Sequence, residues 1–431
     1  MLYYFIRPIT RLAICLYYRK IHLSNFHKIP RNKAIILASN HPTAFMEPCM
    51  MAVFMPQPLH FLVRGDFFQK PIFNFLLRSL KMVPIYRMID LGYKGLKNNY
   101  ATFSACYTAL NRHQTIMIFP EGNTTHEKRL RPLQKGIARI VAGTFQEYPG
   151  LEELYVVPVA VNFTYADQPR GNAMIDIGDP IPTRALFEQN AAAAATSLTR
   201  TLQQALEDRL VIIREEADEQ VAEQLLVLHR SERTESVLPI RDTDISALLY
   251  EKRVTDILNV LSDDEKQSLR NACGEYFHAL DGLQLEDWSI AKGLPKEQSL
   301  RWLFVVSALP AYLGRIFAAL PVATGWHIRK TKVERAEFFS PILLASLMGA
   351  FFLYYLWWIT LSILLGSWFV LGLALLLGGF AVIDLFRTEL GKKLSQASKA
   401  RKVPLAQRQF LQQQRASILS KFRRFSDSHT A

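Results

Sequence analysis

The chain has 431 residues, of which 50% are hydrophobic and 21% are charged, and this length allows two or three domains. The composition excludes an intrinsically disordered protein. A purely cytosolic protein is also excluded, because the 43 residues from Pro341 to Ile383 contain no Asp, Glu, Lys, Arg or His.

The formal net charge of +13 is concentrated at the C-terminus. Residues 387–431 hold 11 Lys or Arg against Glu389 and Asp427, a net +9 for this segment. Because the basicity belongs to a tail, a nucleic-acid-binding function is not favoured and no nucleic-acid partner is expected. We expect the tail to meet anionic lipid headgroups, where each cation contributes ~1 kcal/mol.

The first 30 residues mix aromatic side chains with Arg and Lys. Arg7 and Arg11 interrupt the apolar stretch, which excludes a secretory signal peptide. The pattern favours a helix lying at a membrane surface. A first helix packed on the following domain explains it equally well.

The cysteines are far apart in the sequence, and the nearest two are 34 positions apart. This spacing does not suit a disulfide framework or a zinc site, so we expect small buried hydrophobic residues and no metal. The four positions are Cys15, Cys49, Cys106 and Cys273.

Residues 31–185 alternate between short apolar runs and helical stretches, which predicts an α/β domain with a mixed sheet flanked by helices. The predicted helices lie at about 66–80 and 95–112, and the predicted strands are Ala34–Ser39, Leu59–Val63, Met82–Tyr86, Thr115–Phe119, Tyr155–Phe163 and Met174–Ile177. Ligands bind outside the carboxyl ends of strands in open α/β sheets. Polar residues follow four of the strands: Asn40–His41, Arg64, Arg87 and Glu121.

The segment S-N-H-P-T-A-F-M-E-P, residues 39–48, carries the first candidate chemistry. The carboxylate of Glu47 can hold one ring nitrogen of His41 as N–H, which leaves the other nitrogen free to accept a proton. Such a pair needs no serine or cysteine nucleophile if the substrate supplies the hydroxyl. Taken alone, a histidine near a glutamate is more often a surface or core feature.

The segment F-P-E-G-N-T-T-H, residues 119–126, directly follows a predicted buried strand. Gly122 allows a close approach of the backbone to a ligand, and Asn and Thr side chains supply hydrogen-bond donors. A cluster suited to phosphate follows: Lys128, Arg129, Arg131 and Lys135. A strand-end turn before a solvated basic helix start explains the same residues.

Together these segments resemble the glycerolipid acyltransferase superfamily, whose members acylate glycerol 3-phosphate and 1-acylglycerol 3-phosphate. Its four sequence blocks are matched in order by His41 with Glu47, by Val83–Arg87, by Phe119–Gly122 with Thr124, and by Val157–Val159. The resemblance covers about residues 30–185. F-P-E-G downstream of N-H-P is much more specific than either motif alone.

The spacing of the first block departs from the usual pattern. The family usually has four residues between His and Asp, whereas five separate His41 from Glu47, because Met46 occupies the usual acidic position. On a helix the extra residue rotates the side chain by ~100°, so the loop must absorb it or the longer Glu must reach back. The spacing resembles a divergent subset that includes fungal glycerol-3-phosphate/dihydroxyacetone-phosphate acyltransferases, as do His126 and the additional C-terminal membrane segments.

The resemblance implies that His41 takes a proton from an acceptor hydroxyl as the oxygen attacks an acyl thioester, with Glu47 orienting the imidazole. It implies that a glycerol phosphate acceptor is bound by Arg87, Glu121 and Gly122, with Thr124 in the same block. Arg64 and Lys135 are further candidates, each explained equally well as a surface charge. The implied acyl donor is acyl-CoA or acyl carrier protein, and no other cofactor is expected.

Residues 186–300 are mostly helical and polar by their sequence pattern. Leu198, Leu202 and Leu206 recur every four residues, and the stretch from Ala191 to Arg233 suits one long amphipathic helix. This pattern indicates structural packing.

The long uncharged run predicts two membrane spans. As a single helix it would extend ~65 Å, about twice the ~30 Å hydrocarbon thickness, so we predict spans at 342–364 and 367–386. The apolar stretch 302–326 is expected to be re-entrant or interfacial, because Arg315 and two prolines interrupt it. Cations at 329–335 and in the tail predict that both flanks, and the catalytic domain, lie on the cytoplasmic face.

The sequence therefore predicts an integral membrane O-acyltransferase of phospholipid synthesis, whose partners are membrane lipids, the acyl donor and a glycerol phosphate acceptor. The five predicted regions are a membrane-associated helix (1–30), the acyltransferase domain (31–185), a helical region (186–300), membrane segments (301–386) and a basic tail (387–431). The His–Glu spacing slightly favours glycerol 3-phosphate over 1-acylglycerol 3-phosphate. The alternatives are a lysophospholipid-remodelling acyltransferase and a non-catalytic, membrane-anchored lipid-binding protein.

Overall fold

The computed structural model describes residues 2–85, 103–189, 191–233, 240–291 and 297–430. The chain forms two compact units. The first contains Met1–Val211, Val237–Leu248 and Val333–Leu344, and the second contains Ile212–Ser236, Leu249–Lys332 and Ala345–Ala431. The division into five regions stays a prediction, and the predictions at Tyr86, Arg87 and 95–102 lie outside the described residues.

The first unit is built on a mixed sheet. Its strands are β1 (Lys20–Ser24), β2 (Ala34–Ser39), β3 (Leu59–Arg64), β4 (Met82–Ile85), β5 (Thr115–Ile118), β6 (Leu154–Phe163), β7 (Asn172–Ile177), β8 (Ile181–Pro182) and β9 (Arg241–Asp242). The strand order is β4-β3-β5-β2-β6-β7-β1-β9, and β8 pairs with β6. The pairs β6–β7 and β6–β8 are antiparallel and the other pairs are parallel. The predicted mixed α/β architecture is confirmed.

Helices flank this sheet. They are α1 (Leu2–Tyr17), α2 (Met46–Phe54), α3 (Pro71–Ser79), α4 (residues 103–111), α5 (Gly136–Glu147), α6 (Arg184–Gln189) and α7 (Ala191–Glu207). Helix α2 packs on α1 and β3, and α7 packs on α5 and β6. Strand β2 is buried at every position, as its continuous apolar sequence predicts.

Strand β1 was not predicted, because its sequence K-I-H-L-S does not read as an apolar run. Its polar side chains are nevertheless buried and paired. His22 Nδ1 lies 2.6 Å from Asp242 Oδ1, and Lys20 Nζ lies 3.1 Å from Asp242 Oδ2. The partner carboxylate comes from β9, more than two hundred residues along the chain, so local sequence could not reveal the pairing.

Helix α1 has a packed side and an apolar exposed side. Tyr3, Ile14 and Tyr17 are buried, and the Tyr3 hydroxyl donates to the Ala52 carbonyl at 3.2 Å. The exposed large apolar residues of this helix are Tyr4, Phe5, Ile9 and Leu12. The helix therefore packs on the α/β unit, while its outer side keeps the composition expected at a membrane surface.

The prediction of one long helix from Ala191 to Arg233 is wrong. Helix α7 ends at Glu207, and α8 (Glu219–Glu232) is a separate helix. Between them, Val211 N–H donates to Asn162 Oδ1 at 2.8 Å and Arg214 N–H donates to Asn259 Oδ1 at 3.0 Å. Side-chain amides from elsewhere in each unit take the backbone donors that a continuous helix would use.

The remaining helices are α9 (Ser246–Val260), α10 (Asp263–Gly282), α11 (Trp288–Ala291), α12 (Glu297–Val306), α13 (Ala308–Lys332), α14 (Phe339–Leu364), α15 (Trp368–Lys402) and α16 (Leu405–Thr430).

Helix α16 occupies most of the predicted basic tail and packs on α10 and α11. Buried Arg415 bonds Asp287 Oδ1 at 3.0 Å and the Leu228 carbonyl at 2.7 Å. Losing one partner of a buried pair costs ~3–5 kcal/mol, so α16 is a structural part of its unit. Contact of the tail with lipid headgroups stays a prediction.

Two helices are long and apolar enough to cross a membrane. Among the described residues these candidate spans are Ala336–Leu364 and Trp368–Lys402. Helices α12 and α13 meet at a 54° bend and pass the same test only as a pair. The chain therefore has the helices of a membrane protein, and the re-entrant or interfacial placement of 302–326 stays a prediction.

Helices α13 and α15 approach each other closely at Gly314. A side-chain carbon at this position would collide with the backbone of Phe380 and Ala381. Beside it, the Arg315 guanidinium donates to both carboxylate oxygens of Asp384, at 3.0 and 2.8 Å. A small residue that lets two backbones meet, next to a bidentate ion pair, fixes the register of the two helices.

We expect Gly314→Ala to separate α13 from α15 and to lower the melting temperature of the full-length protein in detergent, because overpacking costs ~1–3 kcal/mol. The matched control is Gly372→Ala on α15, where an added side-chain carbon meets no atom within 4 Å. Both variants gain the same helix propensity. Equal melting temperatures for the two variants would show that the close approach is not a constraint.

Candidate active site

The candidate site lies at one edge of the sheet. Strand β5 lies between β2 and β3 and is parallel to both, so the carboxyl ends of the three strands meet at the same edge. The segments that follow them are the His41 loop, a 3₁₀ turn at Gly65–Phe68 and the Phe119 loop. Arg64 is the last residue of β3, but its side chain, like all of Arg87, falls outside what the structure describes.

Asn40 fixes where the first loop leaves the sheet. Its side-chain amide donates to the Val161 carbonyl at 2.9 Å, and its Oδ1 accepts from Val161 N–H at 2.8 Å. This pair continues the β2–β6 ladder one step beyond Ser39 with a side chain instead of backbone. The next residue, His41, therefore starts from a defined position.

His41 and Glu47 are in contact. His41 Nδ1 lies 3.3 Å from Glu47 Oε2, and the His41 side chain is 12% exposed while the Glu47 side chain is fully buried. A buried carboxylate that accepts from Nδ1 holds the imidazole in the tautomer whose Nε2 is free to accept a proton. The geometry thus has the form of a base and its orienting acid.

Thr43 holds the acid in place. Glu47 Oε1 accepts hydrogen bonds from the Thr43 N–H and the Thr43 hydroxyl, both at 2.8 Å. The same hydroxyl accepts from Met46 N–H, at the start of α2, at 3.2 Å. Together with His41, Thr43 gives the buried carboxylate three donors, which offset the cost of removing its charge from water.

The five-residue spacing is absorbed by the loop. Helix α2 begins at Met46, so His41 is not on the same helix as Glu47 and the expected rotation does not arise. Met46 itself is fully buried and contributes to the core. Of the two expected solutions, the structure therefore shows the first: the loop absorbs the extra residue.

Glu121 joins the two loops. Its Oε1 accepts from the backbone N–H of His41 at 2.9 Å, and its Oε2 accepts from the backbone N–H of Arg131 at 3.2 Å. Burial raises the pKa of Glu121 above its ordinary value of 4.5, and these two hydrogen bonds oppose the rise. The carboxylate therefore ties the F-P-E-G loop to the histidine loop, and its direct contact with an acceptor stays a prediction.

The F-P-E-G loop also contacts the imidazole. The Phe119 ring stacks on the His41 ring with centroids 3.8 Å apart and planes 15° apart. Gly122 N–H closes a turn on the Phe119 carbonyl at 3.2 Å, and Gly122 has φ +76°, which a residue with a side chain adopts rarely. Thr124 lies half-buried two residues later in the same loop.

The basic cluster after this loop is divided. Arg131 and Arg129 both pair with Glu127, at 3.3 and 3.2 Å, close to the bond between Arg131 and Glu121. Lys135 instead donates to Thr196 Oγ1 of α7 at 3.1 Å. Within the described part of the chain, no hydrogen bond or ion pair joins Lys135 to His41, Glu47 or Glu121.

A membrane segment reaches the histidine loop. Ala44 N–H donates to the Glu337 carbonyl at 3.0 Å. Glu337 lies in a 3₁₀ turn, Ala336–Phe338, that leads directly into α14, and this turn and the first residues of α14 belong to the same compact unit as His41. The loop that holds the candidate base is therefore bonded to the start of a candidate span.

Cys49, two residues after Glu47, is not a competing nucleophile. Burial raises the pKa of its thiol to about 12, and the nearby Glu47 charge adds to the rise. A thiol with this pKa is protonated at neutral pH, and only the thiolate is a strong nucleophile.

In the described ranges, no group of three or more His, Cys, Asp or Glu side chains is arranged to hold a metal ion.

Sequence reasoning missed Thr43 and the supporting role of Asn40. A threonine three residues before Met46, where α2 begins, was an available signal, because such residues accept backbone hydrogen bonds at helix N-termini. The Asn40–Val161 and Glu121–His41 contacts had no local signal, since they join residues 121 and 80 positions apart.

Comparison with known proteins gives a family match for this part of the chain. Residues 20–162 match the family model described as Acyltransferase. A curated relative, glycerol-3-phosphate O-acyltransferase 1 of Saccharomyces cerevisiae, is 32% identical over 72 residues, which is 17% of this chain and 9% of the yeast protein. The chain therefore matches only a small part of that relative.

Among solved structures, the 1-acyl-sn-glycerophosphate (LPA) acyltransferase PlsC from Thermotoga maritima is 17% identical, with a TM-score of 0.35. The similarity covers 47% of this chain and 78% of that one, and the score is too low to support a conclusion. The family match does support a conclusion, which is that residues 20–162 form an acyltransferase domain. Together with the yeast relative, this match supports the glycerolipid acyltransferase superfamily that the four sequence blocks predicted.

The raised pKa of Glu121 predicts a pH dependence of stability. Because the folded-state pKa lies above the unfolded value near 4.5, the stabilisation from this group is complete below 4.5 and is lost as pH rises through the folded pKa. Glu121→Gln removes this component. The difference in melting temperature, wild type minus Glu121→Gln, should therefore fall as pH rises across that window.

The matched control is Glu152→Gln, because the Glu152 side chain is 87% exposed. A pH series of thermal unfolding in detergent compares the three proteins. If the difference in melting temperature between wild type and Glu121→Gln rises with pH, burial is not the dominant effect on the pKa of Glu121.

Proposed function

We propose that the chain is a membrane-bound O-acyltransferase that moves a fatty acyl group from an acyl thioester to the hydroxyl of a glycerol phosphate. The observation that carries the proposal is the contact between His41 and the buried carboxylate of Glu47, inside a domain of the acyltransferase family. The non-catalytic alternative loses its support, because the five-residue spacing does not prevent this contact.

The mechanism is a single displacement. Nε2 of His41 takes the proton of the acceptor hydroxyl while the hydroxyl oxygen attacks the thioester carbonyl carbon. The tetrahedral intermediate collapses by breaking the carbon–sulfur bond, and the leaving thiolate takes the proton from the imidazolium. Glu47 stabilises the imidazolium between these steps, and the products are an ester and a free thiol.

Glycerol 3-phosphate is the proposed first acceptor. The support is the sequence match to a yeast protein named glycerol-3-phosphate O-acyltransferase 1. Arg87, Arg64, Gly122 and Thr124 are proposed to contact the acceptor, with the phosphate held by an arginine fork. Glu121 is proposed to act mainly by joining the two loops, and Lys135 remains a lower-ranked phosphate contact.

A second acceptor, 1-acylglycerol 3-phosphate, is favoured by a different observation. The histidine loop is bonded to the turn that begins α14, so a lipid acceptor in the bilayer would lie close to the base. Membrane lipids are therefore proposed partners. The acyl donor is proposed to be acyl-CoA or acyl carrier protein, and the catalytic domain to lie on the cytoplasmic face, where both donors occur.

The proposal is tested with full-length protein in vesicles, supplied in turn with labelled acyl-CoA or acyl carrier protein and with each acceptor. We expect transfer to glycerol 3-phosphate and a fall in kcat of ~10²–10⁴-fold in His41→Ala, since a positioned base contributes this much. Glu47→Gln should lower kcat far more than it weakens acceptor binding.

The mechanism would be contradicted if His41→Ala, shown by circular dichroism to be folded, had the same turnover as the wild-type protein. Transfer only to other lysophospholipids would replace the proposed acceptors with those of a remodelling enzyme. No transfer to any acceptor from either donor would favour a lipid-binding protein.

Thr43 offers a test of the positioning of the acid. Thr43→Val removes the hydroxyl that donates to Glu47, and a hydrogen bond to a charged group is worth ~1.5–3 kcal/mol, so we expect kcat to fall ~10–100-fold with little change in KM. Thr43→Ser keeps the hydroxyl and should restore most of the rate. Equal rates for the Val and Ser variants would remove this role.

A further inference from the structure

The segment after β3 exposes four large apolar side chains. Phe67, in the 3₁₀ turn, is 56% exposed, and on α3 the exposed fractions are 79% for Ile72, 75% for Phe75 and 38% for Leu76. Positions 72, 75 and 76 have the i, i+3, i+4 spacing that places side chains on one side of a helix. We call these four residues the α3 face.

We expect another molecule to cover the α3 face, because soluble surfaces rarely expose several large apolar residues close together. The polar residues around it indicate which occupant. Three cations, Lys70, Arg78 and Lys81, flank the face against one acid, Asp66, in residues 65–81. An apolar helix side bordered by cations is the composition of helices that lie in the headgroup region of anionic bilayers.

The α3 face begins at the edge of the sheet where the chain enters a candidate span. The turn that carries Phe67 follows β3, whose carboxyl end shares an edge with that of β2, the strand before His41. At the same edge, Ala44 bonds the turn that begins the candidate span of α14. The chain therefore enters the candidate span of α14 beside this edge.

We propose that the α3 face inserts into the interfacial region of an anionic bilayer and forms a membrane contact separate from the spanning helices. Its apolar side chains enter the boundary between headgroups and acyl chains, and Lys70, Arg78 and Lys81 meet the lipid phosphates. The open edge of the sheet, with the His41 loop, then faces the membrane surface. This contact does not depend on which acceptor is acylated.

The test uses full-length protein in vesicles of phosphatidylcholine and phosphatidylglycerol. An environment-sensitive fluorophore is attached to Ile72→Cys or Phe75→Cys, with Cys15 and Cys49 replaced by alanine and the buried Cys106 and Cys273 retained. The control label is at Glu152→Cys, which precedes β6 at the opposite edge of the sheet. Quenching by nitroxide-labelled lipid is compared with quenching by aqueous iodide.

We expect the labels at 72 and 75 to be quenched several-fold more by the lipid nitroxide than the label at 152, and several-fold less by iodide. A further Phe67→Ser substitution should move the label at 75 toward the behaviour of the label at 152. Leu249→Ser, which alters an exposed apolar residue outside the face, should not. These readouts do not require acyl transfer, so they are independent of the proposed function.

Two outcomes would overturn the proposal. Iodide quenching at 72 and 75 equal to that at 152 would show that the face lies in water. Shielding from both quenchers, together with energy transfer between labelled copies, would show that a second copy of the chain covers it.

Discussion

The side chain of Glu47 is fully buried and carries a carboxylate, and the arrangement of the site follows from the need to satisfy that charge. Away from water, an ionised carboxylate is stable only when donors surround it. Here the donors are the Thr43 backbone, the Thr43 hydroxyl and the His41 ring. All three come from one short loop, so the orientation of the imidazole and the conformation of the loop cannot change independently.

The loop is therefore anchored at both ends. At its start, Asn40 extends the pairing of β2 and β6 with its own side chain, and at its end Met46 begins α2. A second carboxylate, Glu121, connects the His41 backbone to the segment after β5. Two acids, the buried Glu47 and the half-buried Glu121, thus determine the position of one histidine: Glu47 holds its ring and Glu121 holds its backbone.

The relation of this site to the membrane is also built into the first compact unit. The turn before α14 bonds the loop at Ala44, so the site and the start of a candidate span share one packed structure. Helices α1 and α3 of the same unit keep apolar exposed sides. For the proposed acyl transfer, this arrangement means that the apolar part of a lipid need not cross water to reach His41.

The sequence by itself determined the features that depend on local pattern. Continuous apolar runs predicted β2 with its observed bounds and the other five predicted strands to within a few residues. Such runs arise because a strand buried on both faces of a sheet needs apolar side chains on both. The uncharged run predicted two candidate spans, and the order of the four blocks predicted the superfamily. The His41–Glu47 pairing was predicted as a hypothesis from residue types and spacing.

Only the tertiary structure decided the features that rest on distant partners. The pairing of Lys20 and His22 with Asp242 made a strand from a polar sequence, and amides at Asn162 and Asn259 divided one predicted helix into two. The contact of His41 with Glu121 likewise joins separate loops. The physical reason is the same in each case: a buried polar group must be paired, and its partner is chosen by the fold, not by its neighbours in sequence.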